Sequence, residues 1–246
     1  MRDFLLLLAD NTQILGHRLG EWCGHGPELE IDMAMTNLAL DLIGQSRNYY
    51  QYAADLEGAG RTEDDLAYLR DAREFRNCLL VEQPNGDFAH TVARNFLFDS
   101  WHFFFLQALC QSNDDRLAAI AVKSVKEVTY HLRWSSEWVI RLGDGTEESH
   151  KRIQDAFDNL WTYRGELLAP APYETEAANA GYGVDLHAIR PLVEDKLSDI
   201  LALATLKHPE DGWMQSGGKT GRHSEHLGYI LAEMQYVQRA YPNSVW

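Results

Sequence analysis

Apolar residues recur every three to four positions along most of this chain, the period of a helix packed on one side. One row runs Phe88, Val92, Phe96, Asp99, Phe103, Leu106, and a second runs Leu117, Ile120, Ser124, Glu127, His131, Trp134, Trp138. No strand-like alternation competes with this period, and no internal repeat is evident. Polar punctuation sets the boundaries. A first helix is predicted over about 3–22, ended by Gly24, Gly26 and Pro27. A second begins near Pro27, which suits a first helical turn, and carries Ile31, Met35, Leu38 and Leu42 on one face. Thr62 and Asp65 have the spacing to cap a short helix. Further helices are predicted over about 86–112, 114–142, 146–168, 185–206 and 223–240. The Ala/Pro/Gly-rich stretch APAPYETEAANAGYG reads as an irregular surface loop. The expectation is an all-α chain, 1–246 forming a single domain of seven or so helices around a four-helix core.

Two carboxylate–histidine pairs interrupt these apolar rows: Asp99 with His102, and Glu127 with His131. An unpaired buried carboxylate costs several kcal/mol, so such a group is neutralised, paired or bound to metal. A di-iron bundle takes a Glu from each of two helices and a Glu-x-x-His from each of the other two. Here Asp99 is shorter than Glu, and the residue three positions after Glu127 is Tyr130, so the imidazole of His131 is displaced. The nearest acid on the second helix is Asp41, with Gly44 where an imidazole belongs, and the first helix offers only Glu21 near its end. Asp41, Asp99, His102, Glu127 and His131 therefore read as vestigial ligand positions with no metal, Asp99 and Glu127 pairing with His102 and His131, or with Arg18 or Lys126.

Composition supports a large helical core, with 45% hydrophobic residues including seven Trp, eleven Tyr and nine Phe. A net charge of −15 argues against nucleic acid and anionic membrane as partners. Cys23, Cys78 and Cys110 lack paired spacing, which suggests reduced, buried thiols in a cytoplasmic protein. The leucine run near the start is too short for a signal or a membrane span. SGGKTGRH lacks the spacing of a phosphate-binding P-loop, although Lys219 and Arg222 suit an anionic ligand such as a CoA phosphate. His223 and His226 flank Glu225 at a helix start, where capping is the expected role.

Four long blocks, at 18–50, 79–102, 125–146 and 217–242, resemble the PaaC family, the C-type subunits of phenylacetyl-CoA epoxidase. The resemblance implies a ferritin-like fold and a non-catalytic, structural role. Its partner would be a homologous, catalytic A-type subunit that carries a di-iron centre. A B-type subunit joins them, and an E-type reductase carrying FAD and a 2Fe-2S cluster supplies electrons. Such a complex uses O2 and NADPH to place a 1,2-epoxide on the ring of phenylacetyl-CoA. That step opens aerobic phenylacetate degradation. The resemblance also implies that Glu74, Phe75, Arg76 and Asn77, with Thr175, Glu176 and Ala177, contact the CoA thioester, Arg76 meeting a phosphate and Phe75 stacking on adenine. Two other classes stay open: a self-sufficient di-iron carboxylate oxygenase, and a metal-free helical adaptor with no enzymatic partner.

Overall fold

A computed structural model describes residues 1–242 and 244. Its described residues are helical, with no strand. The α-helices in chain order are α1 (Arg2–Gly20), α2 (Leu29–Glu57), α3 (Glu63–Tyr68), α4 (Leu79–Glu82), α5 (Phe88–Leu109), α6 (Asp115–Gly143), α7 (Glu147–Arg164), α8 (Pro172–Asn179), α9 (Leu186–Leu203), α10 (Glu225–Met234) and α11 (Tyr236–Ala240). None of them is long and apolar enough to cross a membrane. The chain divides into two compact units, residues 1–84 with 216–246 and residues 85–215.

In the first unit α1 packs along α2. Their close approach is set at Gly16, where a Cβ would stand 3.0 Å from Ile43 Cγ1 and 3.3 Å from the Ala39 carbonyl. The predicted face of α2 is buried, as Ile31, Met35, Leu38 and Leu42 all lie inside. The helix starts later than Pro27 suggests, because Asp32 Oδ2 accepts the N–H groups of Gly24 (2.8 Å) and Gly26 (2.9 Å) and holds the preceding turn outside it. Thr62 caps α3 with the expected box: its hydroxyl accepts from Asp65 N (3.2 Å) and its N–H donates to Asp65 Oδ2 (2.8 Å).

α1 is buried on nearly every side, including its polar run Asp10, Asn11, Thr12 and Gln13. Each of these must find a partner inside the protein. Thr12 donates back to the Leu8 carbonyl at 3.0 Å, and Gln13 Oε1 accepts from Ser46. Asn11 Oδ1 accepts the amide of Cys78 at 2.8 Å. Asp10 receives Tyr50 Oη (2.6 Å), the amide of Arg76 (2.7 Å) and both terminal nitrogens of Arg70, one at 3.1 Å. The guanidinium of Arg70 stands 4.2 Å from the centre of the Phe75 ring, and its Nη1 donates to the Glu74 carbonyl at 3.0 Å. The helix thus pins residues 70–78 through side chains that face its core.

The second unit is centred on α5, which is buried without interruption from Thr91 to His102 and packs against α6, α7 and α9. Phe88 meets the edges of Trp134 and Trp138 on α6, with ring centres 6.4 and 5.1 Å apart. Arg164 ties α7 to α9 and the following segment through Glu194 (2.7 Å) and Asp211 (2.6 Å).

Three expectations are corrected. The stretch read as an irregular loop contains α8: Pro172 starts it, Glu174 reaches back to the Ala171 N–H at 2.7 Å, and buried Ala177 anchors it. Its Ala/Glu content outweighs the flanking Pro and Gly. The helix predicted over 223–240 divides at Gln235, whose side chain is drawn to the carbonyls of Ala67 (3.3 Å) and Arg70 (3.0 Å). Cys78 is buried, but Cys110 is only partly covered and Cys23 is exposed in the glycine-rich turn after α1.

Asp10→Ala is expected to cost about 3–5 kcal/mol, because it leaves the Arg70 charge buried without its counterion. Urea unfolding measures this, and a midpoint equal to wild type would mean that the pair does not hold the first unit together.

Candidate functional site

α5 and α6 bring three of the expected polar residues into one buried group. Asp99 and His102 lie on successive turns of α5, and His131 projects from α6. Asp99 interacts with the His131 imidazole and accepts a hydrogen bond from Ser135 one turn further along α6. Burial nevertheless prevails and raises the Asp99 carboxyl to about 6. His102 is packed between the rings of Phe98 (5.0 Å) and Trp101 (5.9 Å). Burial, reinforced by His131, lowers its imidazole to about 3. Within the group Asp99 interacts electrostatically with His131, and His102 stays neutral beside them. Its Nδ1 meets no hydrogen-bond partner among the described residues, nor does the buried hydroxyl of Ser124 one turn before Glu127.

Glu127 is half-buried on α6, and Asp41 is half-buried on α2 in the first unit. A di-iron centre is a carboxylate-rich site, whereas this group offers one buried carboxylate and two imidazoles. Among the described residues no three His, Cys, Asp or Glu side chains are arranged to hold a metal ion. The residues present do not fit a di-iron centre.

The segments expected at a CoA thioester are differently placed. In the first unit Glu74 is exposed, with its carboxylate on the Asp71 amide at 2.8 Å. Phe75 is fully buried beneath Arg70. Asn77 is also buried, and its Nδ2 donates to Glu82 Oε2 at 3.0 Å. Of these four, Arg76 is half-exposed and offers its guanidinium at the surface. In the second unit Thr175 and Glu176 are exposed on α8, while Ala177 is buried.

Another buried acid, Glu82, carries no signal in the sequence pattern. Glu82 is fully enclosed, and its oxygens receive Asn77 Nδ2, His223 Nδ1 (2.9 Å) and the amide of Ser224 (2.7 Å). His223 also reaches the Phe75 carbonyl with Nε2 at 3.1 Å. Its side chain is thus a buried bridge between the 75–82 segment and the loop before α10, not a surface cap. Asp10 with Arg70 was missed as well, although the run Asp-Asn-Thr-Gln inside an apolar helix was a visible signal.

A family profile described as phenylacetic acid catabolic protein matches residues 1–246. The chain belongs to that family. Among its relatives, the C-type subunit of 1,2-phenylacetyl-CoA epoxidase from Escherichia coli (strain K12) is 47% identical over 243 residues, 99% of this chain and 98% of the relative. The A-type subunit of the same enzyme in the same organism is 26% identical over 142 residues, covering 58% of this chain and 45% of that relative.

The buried group has a distinctive pH signature. Asp99 holds its proton in the folded state up to about 6 but loses it near 3.8 when unfolded, so it favours folding less as pH rises through that window. His102 takes its proton near 6.5 only when unfolded, since its folded value is about 3, so it favours folding more as pH rises through that window. Between about pH 4 and 6 the two slopes cancel, each about 1.4 kcal/mol per pH unit. Thermal melts should show Asp99→Asn losing stability more steeply than wild type on acidification, and His102→Gln losing it less steeply. Parallel profiles for all three proteins would place these groups in solvent.

Proposed function

We propose that this chain is the non-catalytic, structural C-type subunit of a multicomponent phenylacetyl-CoA 1,2-epoxidase in aerobic phenylacetate degradation. In this reading residues 1–246 act as one ferritin-like domain. The observation that carries it is an end-to-end match to a C-type subunit of 1,2-phenylacetyl-CoA epoxidase, joined to a buried polar group that holds a single carboxylate. The partial likeness to the A-type relative supports descent from a common ancestor, with the catalytic metal retained on the other branch. The chain then binds no cofactor of its own. The di-iron centre sits on the catalytic A-type partner, and FAD and 2Fe-2S sit on the E-type reductase. A B-type partner completes a cytoplasmic complex.

A structural subunit needs a surface for its partner. α2 leaves Leu29, Met33 and Leu40 largely exposed along one side, and α10 and α11 expose Tyr229 and Tyr236. Large apolar side chains at the surface mark contact regions when they share a helix face. An interface of about 2,000 Å² or more would be in the range of permanent complexes.

Purified alone, the chain should carry no stoichiometric iron and oxidise nothing. Coexpressed with its catalytic partner, it should form a stable complex that epoxidises phenylacetyl-CoA when supplied with the reductase. Met33→Glu with Leu40→Glu should weaken association at least about tenfold, the scale of losing central apolar contacts. Full epoxidation by the catalytic partner and reductase without this chain would refute the structural role. Two irons per chain on the isolated protein would favour a self-sufficient oxygenase instead.

A further inference from the structure

Trp213 is the most exposed large apolar side chain among the described residues, with 75% of its surface open. It lies in the second unit, on the 207–215 segment that follows α9. A single exposed apolar residue is common and carries no meaning by itself. This one is rigidly mounted, because the 207–215 segment is tied to α7 along its length. Gln154 Oε1 accepts the Lys207 amide at 2.8 Å, and its Nε2 donates to the Lys207 carbonyl at 3.1 Å. Asp211 Oδ1 accepts from Trp161 Nε1 (2.9 Å) and Arg164 Nη2 (2.6 Å). The Thr162 hydroxyl donates to the Trp213 carbonyl at 2.9 Å, and the Thr162 carbonyl accepts the Gln215 amide at 2.7 Å. Gly165 lets Met214 close on the end of α7, where a Cβ would fall 2.7 Å from Met214 Cγ. The backbone of Trp213 is therefore fixed while its indole stays in solvent.

The inner Trp of this corner shows what an indole beside acids takes here. Trp161 is buried, and the Arg164 guanidinium stands 4.1 Å from its ring centre. Glu194 and Asp211 hold that guanidinium at 2.7 and 2.6 Å. Ring, cation and two carboxylates make a complete set, since the negative face of an indole attracts a guanidinium that the acids also bind. The outer Trp has the carboxylates without the cation. Trp213 shares an open concavity of about 300 Å³ with Asp158, Glu210 and Met214. Asp158 accepts from the neutral side-chain amide of Gln154 at 3.0 Å, and neither it nor Glu210 has a cation within ion-pair distance among the described residues. The lysine and arginines of α7 are engaged elsewhere: Lys151 with Asp155, Arg152 with Glu148, and Arg164 with Glu194 and Asp211.

We propose that Trp213, Asp158 and Glu210 form a docking site for an arginine carried on an exposed segment of a partner protein. The incoming guanidinium lies over the Trp213 ring and gives its N–H groups to the two carboxylates. That repeats on the outside of the loop the arrangement that Arg164 makes on its inside. Lysine suits the site less, because only a planar fork stacks on a ring and bonds acids at its edge together. A second copy of this chain is a poor occupant, since each copy carries a net charge of −15. The inference goes beyond the epoxidase reading and does not require it.

The test follows the Trp213 indole resonance of the full chain by NMR, assigned with Trp213→Phe, during titration with the peptide Ac-Gly-Arg-Arg-Gly-amide. The resonance should shift and saturate. Ac-Gly-Gln-Gln-Gly-amide should leave it in place, and Ac-Gly-Lys-Lys-Gly-amide should bind more weakly than the arginine peptide. Asp158→Asn with Glu210→Gln should weaken the arginine peptide about fivefold or more, and added salt should weaken it in the wild type. Both acids are exposed, so the melting temperature of the double variant should not move. No saturable response to the arginine peptide, an equal response to the glutamine or lysine peptide, or unchanged affinity in the double variant overturns the proposal. A shift of the resonance on raising protein concentration alone also overturns it, and assigns Trp213 to self-association. The titration does not involve phenylacetyl-CoA turnover, so failure of the epoxidase reading leaves its result standing.

Discussion

Asp10 and Arg70 lie fully inside the first unit, one on α1 and the other just beyond α3. Bringing two charges out of water costs several kcal/mol per ion, which their attraction offsets only when the remaining hydrogen-bonding capacity is filled. Tyr50, the Arg76 amide and the Leu66 and Glu74 carbonyls fill it. Burial and the neighbouring Asp10 carboxylate hold the Tyr50 hydroxyl well above its usual pKa, so it remains a donor at any physiological pH. Meeting these demands fixes the 70–78 segment, whose only helical bonding of its own is one 3-10 turn at Ala72–Glu74. The placement of Phe75, Arg76 and Asn77 follows, and so does the seat for the glycine loop before α10.

The long helices were legible because their burial is one-sided or complete and their apolar spacing records it. α6 shows this most plainly, with Leu117, Ser124, His131 and Trp134 buried at helical intervals. The same pattern placed Asp99 inside, but it could not say which histidine pairs with it. His102 shares the helix with Asp99, yet the imidazole that acts on the Asp99 carboxyl is that of His131 on α6. Arg70 lies far from Asp10 in sequence, and no local spacing relates the two. His223 was read from its position at a helix start, where capping is common, and its burial against Glu82 depends on α4 coming to meet it. α8 was hidden because Pro and Gly flank it, although Pro at a first helical turn begins helices as readily as it ends them.

The two units show alternative fates for buried polar groups. In the first, Asp10 is paired with Arg70, fully bonded and structural. In the second, Asp99 is pushed toward neutrality by burial, with His131 and Ser135 opposing that shift, while His102 beside it is held neutral. Here burial raises the Asp99 carboxyl to about 6 and keeps the His102 imidazole neutral. The chain belongs to the phenylacetic acid catabolic protein family and is similar to both C-type and A-type epoxidase subunits.

If Asp10 and its neighbour Asn11 organise the 70–78 segment, the amides they accept should be as shielded as the helix that carries them. Hydrogen exchange at Arg76 and Cys78 measures this directly, since these N–H groups donate to Asp10 and Asn11 at 2.7 and 2.8 Å. Both amides are expected to exchange at the rate of the α1 interior, through global unfolding of the first unit. Exchange as fast as in the exposed turn at 58–60 would show that the segment opens independently, and that the buried pair does not govern it.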